Sequence, residues 1–202
     1  MRVEDELRQA IVSGRLQPRE RLVEADLTRQ LGVGRAAIRT ALARLEQEGL
    51  VQHEPYRGAR VRLIDEREAV EIIEARAVLE GLTARYAAVR AKQLDLEDLN
   101  AILAGMRHRL SAGDLLRVSD ENARLHQRIA EIAAHVTAAK LISTLQSQLV
   151  RFQYRTILLP GRGERSYEEH HAIVRAIAAG DGDAAEIAMR KHLSQVAEAL
   201  RK

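Results

Sequence analysis

At 202 residues the chain has room for one large domain or two small ones, and either can bury a core. It has no cysteine, which excludes disulfides and thiolate metal sites. No apolar run approaches the roughly 20 residues of a bilayer span and the N-terminus lacks a signal-peptide pattern, so the expected setting is cytoplasmic, with no membrane partner. Charged residues make up 30% of the chain but the formal net charge is only +3, so the placement of charge is more informative than its sum.

In chain order, Val3, Leu7, Ile11 and Leu16 form a helical apolar stripe that pauses near Gly14, ahead of Pro18. Two further helical patterns follow, over 23–31 and 35–47, separated by Leu31-Gly32-Val33-Gly34. A turn this short, with two glycines and an apolar residue, predicts a helix-turn-helix. After Gly49 the apolar period changes from 3.6 to 2. Two short strands, over 50–54 and 59–63, flank the breaker-rich Pro55-Tyr56-Arg57-Gly58. In the second, Ala59, Val61 and Leu63 are expected to face inward and Arg60 and Arg62 outward. Three helices and a hairpin make a winged helix-turn-helix over 1–64.

Within residues 35–62 six arginines (Arg35, Arg39, Arg44, Arg57, Arg60 and Arg62) stand against three acids, and no lysine contributes. The guanidinium fork matches phosphate and guanine edges, so an all-arginine cluster suits DNA. The helix from Arg35 is the expected recognition helix. Arg35 and Arg39 share one face near its N-terminus, and Ala37, Ile38, Ala41, Leu42 and Leu45 are expected to form the buried face. Arg44 reaches a phosphate or a base from further along. At the wing tip, next to Arg57, Gly58 lets the backbone approach the DNA closely.

From Asp65 to the end the periodicity is helical, predicting an all-α bundle over 65–202 of about six helices, near 66–91, 95–112, 114–133, 136–158, 166–179 and 183–201. Acidic or hydroxyl pairs mark their starts: Asp65 with Glu68, Asp95 with Asp98, Ser166 with Glu169, and Asp181 or Asp183. Inside the bundle, Asn122 and His126 lie four apart on one face. His170 precedes the apolar Ile173, Val174 and Ile177, and His192 shares a stripe with Ala185, Met189 and Val196. Three histidines on inward faces of three helices suit either hydrogen-bonded core positions or a metal site of the kind bundles build from facing helices. His108, His135 and His171 are assigned to surface or packing positions.

The run Leu27-Thr28-Arg29-Gln30-Leu31-Gly32-Val33-Gly34-Arg35-Ala36-Ala37-Ile38-Arg39, continuing through Arg44 to Gly49, resembles the DNA-binding signature of the GntR family, and 55–61 is similar to that family's wing. Gly34 stands where the family usually has Ser, Ala37 where it has Pro, and Arg19 where it has Gly. The resemblance implies major-groove and phosphate contacts from Arg35, Arg39 and Arg44, with Gly58 in the minor groove. The segments Glu74–Glu80, Asn122–His126, Glu169–Ile173 and Ala188–Leu193 resemble successive motifs of the FCD effector domain, which defines the FadR-type branch of that family. That resemblance implies a divalent metal, Zn ahead of Ni, Fe or Mn, held by Asn122, His126, His170 and His192, with the metal taking the carboxylate of a small organic acid. Asn122 occupies a position where Asp is commoner. Arg76 and Arg151 are the candidates to grip the effector's other oxygens.

The function expected is a ligand-responsive transcription regulator, dimeric because palindromic half-sites call for a two-fold protein. Two other readings are a regulator with a metal-free pocket for a longer acyl ligand, and a three-histidine metalloenzyme. The last lacks any His-Glu-x-x-His or paired-carboxylate signature.

Overall fold

The computed structural model describes residues 2–54, 58–149, 152 and 155–201. Its elements are α1 (Val3–Val12), β1 (Arg21–Leu22), α2 (Glu24–Leu31), α3 (Arg35–Gln47), β2 (Val51–Glu54), β3 (Gly58–Val61), α4 (Glu66–Arg90), α5 (Gln93–Ser111), α6 (Leu115–Ala133), α7 (Val136–Gln148), α8 (Arg162–Ala178) and α9 (Gly182–Leu200). They divide into two compact units, Met1–Asp65 with Gln146–Val150, and Glu66–Leu145 with Arg151–Lys202.

The first unit is a winged helix-turn-helix. Its core joins Leu7 of α1, Leu27 of α2, Ile38, Ala41, Leu42 and Leu45 of α3, and Leu22, Leu50, Val51, Ala59 and Val61. Gly32 ends α2 in the left-handed conformation, at φ 65°, where a side chain would be strained. The chain re-enters α3 two residues later through Gly34, which is extended at φ −71° and ψ 154°. Ala37, expected on the buried face, is exposed. Burial follows Ile38, Ala41, Leu42 and Leu45 at i, i+3, i+4 and i+7, and the residue just before that stripe falls outside it.

The wing is a three-stranded antiparallel sheet of order β1-β3-β2, with Val51 opposite Val61 and Leu22 opposite Ala59. The hairpin was legible in the sequence, but β1 is only two residues long and leaves no periodic trace. Arg19 helps to place it: it adopts φ 67°, and its amide donates to the Val61 carbonyl at 2.9 Å. A non-glycine residue there carries a backbone cost, offset by the sheet hydrogen bonds that follow. β3 stops at Val61, so Leu63 lies beyond the pleat and is only half-buried, and Ile64 is buried instead.

The second unit is all-α. The chain has one Phe, four Tyr and no Trp, so its interior is aliphatic, built on Ile73, Leu99, Met106, Leu125, Ile129, Ile173, Ile177 and Met189. α4 turns small residues (Ala77, Gly81, Ala84, Ala88) to the interior and packs closely on α9. A Cβ at Gly81 would stand 2.9 Å from Cγ of Arg190, so a larger residue there would have to displace the Arg190 side chain.

Two helix starts differ from expectation. α5 begins at Gln93, and the Asp95 carboxylate accepts from the Lys92 amide at 2.9 Å, so Asp95 sits in the first turn rather than at the cap. α8 begins at Arg162, four residues ahead of Ser166, behind Gly161 at φ 68°. Ser166 and Glu169 resemble a capping pair because both are polar and three apart, but both side chains are committed elsewhere. α7 ends at Gln148, ten residues short of the expected span.

Candidate functional site

On the first unit Arg35 and Arg39 are both exposed on α3, as amphipathic spacing requires once Ile38 and Leu42 are buried. Arg39 donates from Nε to Glu24 of α2, at 2.9 Å to Oε2 and 3.2 Å to Oε1. Holding Nε leaves the terminal amino pair as the outward fork. Arg44 turns toward α1, where its Nη1 lies 2.6 Å from both oxygens of the buried Glu4, so it ties α3 to α1. Gly58 opens β3 at φ 82°. Arg57 lies outside the described residues. Sequence reading identified the exposed arginines but not the acids that steer two of them. Glu24 and Glu4 sit on other helices, and such pairs follow no local period.

In the second unit His126 of α6, His170 of α8 and His192 of α9 are 5%, 1% and 2% exposed. One ring nitrogen of each lies within 4.8 Å of the others, a group able to hold a metal ion. The closest approach is His126 Nε2 to His170 Nε2, 3.3 Å. An oxygen faces Nδ1 of each ring. Glu80 meets that of His126, Glu169 that of His192 at 2.7 Å, and Ser166 Oγ lies 3.5 Å from that of His170. With Nδ1 occupied, Nε2 is the nitrogen each ring has left to present.

The two glutamates are themselves held by arginines. Arg76 donates to Glu80 at 2.7 Å, and Arg162, almost wholly buried, donates to Glu169 at 2.8 Å and 3.2 Å. The same Arg–Glu–His arrangement therefore occurs twice, once from α4 to α6 and once along α8 to α9. Asn122 lies one turn before His126, and its Oδ1 is buried with no hydrogen-bond partner. A buried acceptor left unmatched costs about 1–3 kcal/mol, so its position calls for a partner the protein does not itself supply. Arg151 lies outside the described residues.

Electrostatics follow from this packing. Burial favours the neutral form of Glu80, but the charges of Arg76 and His126 and their hydrogen bonds outweigh it and carry its carboxyl down to about 2. Burial, then the neighbouring imidazoles and Arg162, push His170 and His192 well below the ordinary imidazole range and keep them neutral, the form that binds metal. Glu169 is raised, because burial outweighs the pull of Arg162. Sequence reading placed Arg76 beside Glu80 but missed Glu80, Ser166, Glu169 and Arg162 as supports of the histidines. The one available signal was that Glu80 and Glu169 stand within two of the four motif segments.

Residues 1–61 match the gntR family of bacterial regulatory proteins, and residues 71–195, 125 of 202, match the FCD domain. The chain belongs to the GntR family, with an FCD domain behind its DNA reader. Among GntR-family relatives, the putative L-lactate dehydrogenase operon regulatory protein of Escherichia coli K12 is 30% identical, over 89% of this chain and 77% of its own. LutR of Bacillus subtilis is 29% identical, over 94% and 95%. Among solved structures, E. coli McbR/YncC shares the fold, with a TM-score of 0.76 at 22% identity over 98% of this chain and 95% of that one. A GntR regulator from Rhodococcus sp. RHA1 shares it at a TM-score of 0.71, 23% identity and coverage of 99% and 96%. The chain is thus a transcriptional regulator and not an enzyme, and operator DNA is its partner. No helix among the described residues is long and apolar enough to cross a membrane.

Proposed function

We propose that this GntR-family chain is a ligand-responsive regulator in which a small organic acid, bound through a divalent metal in the FCD domain, changes operator affinity. The observation that carries the reading is the buried convergence of three imidazoles, with the unmatched Asn122 oxygen one turn before His126 on the same helix. His126, His170, His192 and Asn122 would hold the ion. The donor set is nitrogen-rich and neutral, which suits Zn, Ni or Fe better than Mg or Ca. When bound, the ion supplies a cationic centre for a carboxylate.

The protein's own groups do the rest. Glu80 and Glu169 fix the ring orientations and Arg76 and Arg162 hold those carboxylates in turn. Arg76 is the candidate for a further oxygen of the acid, and Arg151 is a second. The E. coli relative is named for an L-lactate dehydrogenase operon, which makes 2-hydroxy acids the first class to test. At the DNA, Arg35 and Arg39 read the major groove, Arg44 and Arg57 serve the phosphates, and Gly58 admits the wing to the minor groove. Two copies acting as a homodimer would span two half-sites, and an acid that favours one arrangement of the pair shifts DNA affinity.

The metal reading is tested by elemental analysis of untagged protein together with its His192→Ala variant. With acetate kept in every buffer, near one equivalent of Zn, Ni, Fe or Mn in the wild type, lost in the variant, is expected. Substoichiometric metal in the wild type, with no thermal stabilisation on adding any of these ions, would contradict it.

A further inference from the structure

The charges around the histidines are balanced without any ion. Arg76 is matched by Glu80 and Arg162 by Glu169, and both pairs are largely buried. As ligands the three imidazoles and the Asn122 amide would bring no negative charge, and the amide oxygen, one turn before His126 on α6, is buried and unmatched. Glu121, the residue before it on α6, turns to α5 instead: its Oε1 accepts from Arg109 at 3.2 Å and its carboxyl lies against Gly105, with Oε2 buried there. Among the described residues, then, no free carboxylate faces the histidine cluster. A divalent cation entering there brings two positive charges into a bundle interior that has nothing to offset them, and uncompensated buried charge is strongly disfavoured. An aspartate at 122 would cancel one of the two; the amide cancels neither.

We infer that Asn122 makes metal and anion binding mutually dependent: the ion is held weakly alone and firmly only together with an exogenous carboxylate. The site thereby responds to the acid and the ion jointly, rather than to the acid on a permanently loaded metal. This rests on the metal reading above and adds to it a sign and a residue. Linkage makes the effect reciprocal, so the factor by which carboxylate tightens the ion is the factor by which the ion tightens carboxylate.

The test uses the full chain, freed of metal by a chelator, and titrates Zn2+ against a competing chromophoric chelator. It is run in sodium acetate and in sodium perchlorate of equal ionic strength. Acetate is expected to raise the Zn2+ affinity of the wild type by about 10-fold or more, within the usual span of binding couplings. In Asn122→Asp the affinity in perchlorate should rise and the acetate enhancement should shrink. Calorimetric titration of acetate into wild-type protein with and without Zn2+ measures the same coupling from the other side and needs no variant, so a folding defect in Asn122→Asp leaves it decisive. Zn2+ binding that is indifferent to acetate, or enhanced equally in wild type and Asn122→Asp, overturns the dependence while leaving the metal site standing. Absence of Zn2+ binding to the wild type in both salts overturns the metal site and this inference with it.

Discussion

Arg39→Ala is expected to lower affinity for operator DNA by about 30-fold or more and to leave the thermal midpoint of the protein unchanged. Arg39 is exposed, so its truncation opens no cavity, and the contact it surrenders is a surface ion pair with Glu24, of a kind worth little. Its loss at the DNA is a different matter. With Nε on Glu24, the remaining two amino groups form the fork that fits O6 and N7 of guanine. Such a pair is worth about 1–3 kcal/mol, and the proposed homodimer would lose it twice, so about 2–6 kcal/mol is at stake. Arg39→Lys should recover little, because an ammonium has no fork. Arg67→Ala, which removes the same charge from an exposed position on α4, is the control and should bind nearly as wild type. Fluorescence anisotropy with DNA selected from a random pool by the wild-type protein provides the measurement. Near wild-type binding by Arg39→Ala would remove α3 as the reading helix.

The second large effect lies in the bundle and concerns stability. Glu80→Ala strips the acceptor from Arg76 and from Nδ1 of His126 at once, and all three side chains are largely buried. Removing one partner of a buried ion pair costs about 3–5 kcal/mol, because the cation left behind stays out of water. That is a large part of the roughly 5–15 kcal/mol by which domains are stable. The urea midpoint of metal-free protein should fall accordingly, whereas Glu198→Ala, at an exposed position on α9, should change the unfolding free energy by less than about 0.5 kcal/mol. The difference has a pH signature. The Glu80 carboxyl is held at about 2 in the folded chain, below its ordinary value of 4.5, so the stability it confers is complete above 4.5 and is lost as pH falls toward 2. The gap between wild type and Glu80→Ala should therefore narrow below pH 4.5. A urea midpoint for Glu80→Ala equal to that of wild type would mean the Arg76–Glu80–His126 chain carries no stability.

What the sequence made visible follows from how local each signal is. The helix-turn-helix was legible because its apolar spacing, glycine turn and change of period at the wing are contiguous, and the structure departs from it only at Ala37, Leu63 and the two-residue β1. The C-terminal helices were legible as elements, although α4, with alanines, Glu80, Gly81 and Thr83 among its buried residues, shows little contrast between its faces. Inward faces for His126, His170 and His192 also followed from spacing. Their approach to within 4.8 Å did not, because no local pattern encodes the meeting of three histidines 22 to 66 residues apart in sequence. The supporting carboxylates were less legible still. Glu169 mimicked a helix cap, and Glu80 looked paired with Arg76 alone. Each makes its decisive contact across the bundle, with a partner far away in sequence.

The claim that unites the two halves is that an acid bound among these histidines changes how tightly the arginines of α3 hold DNA. Its most direct test is the affinity of Zn2+-loaded protein for the selected DNA, measured across a panel of small carboxylic acids that starts with 2-hydroxy acids. At least one acid should change that affinity by about 5–150-fold, in either direction, and should lose its effect in His192→Ala. DNA affinity that stays constant across the whole panel, in protein verified to hold its metal, would contradict the account.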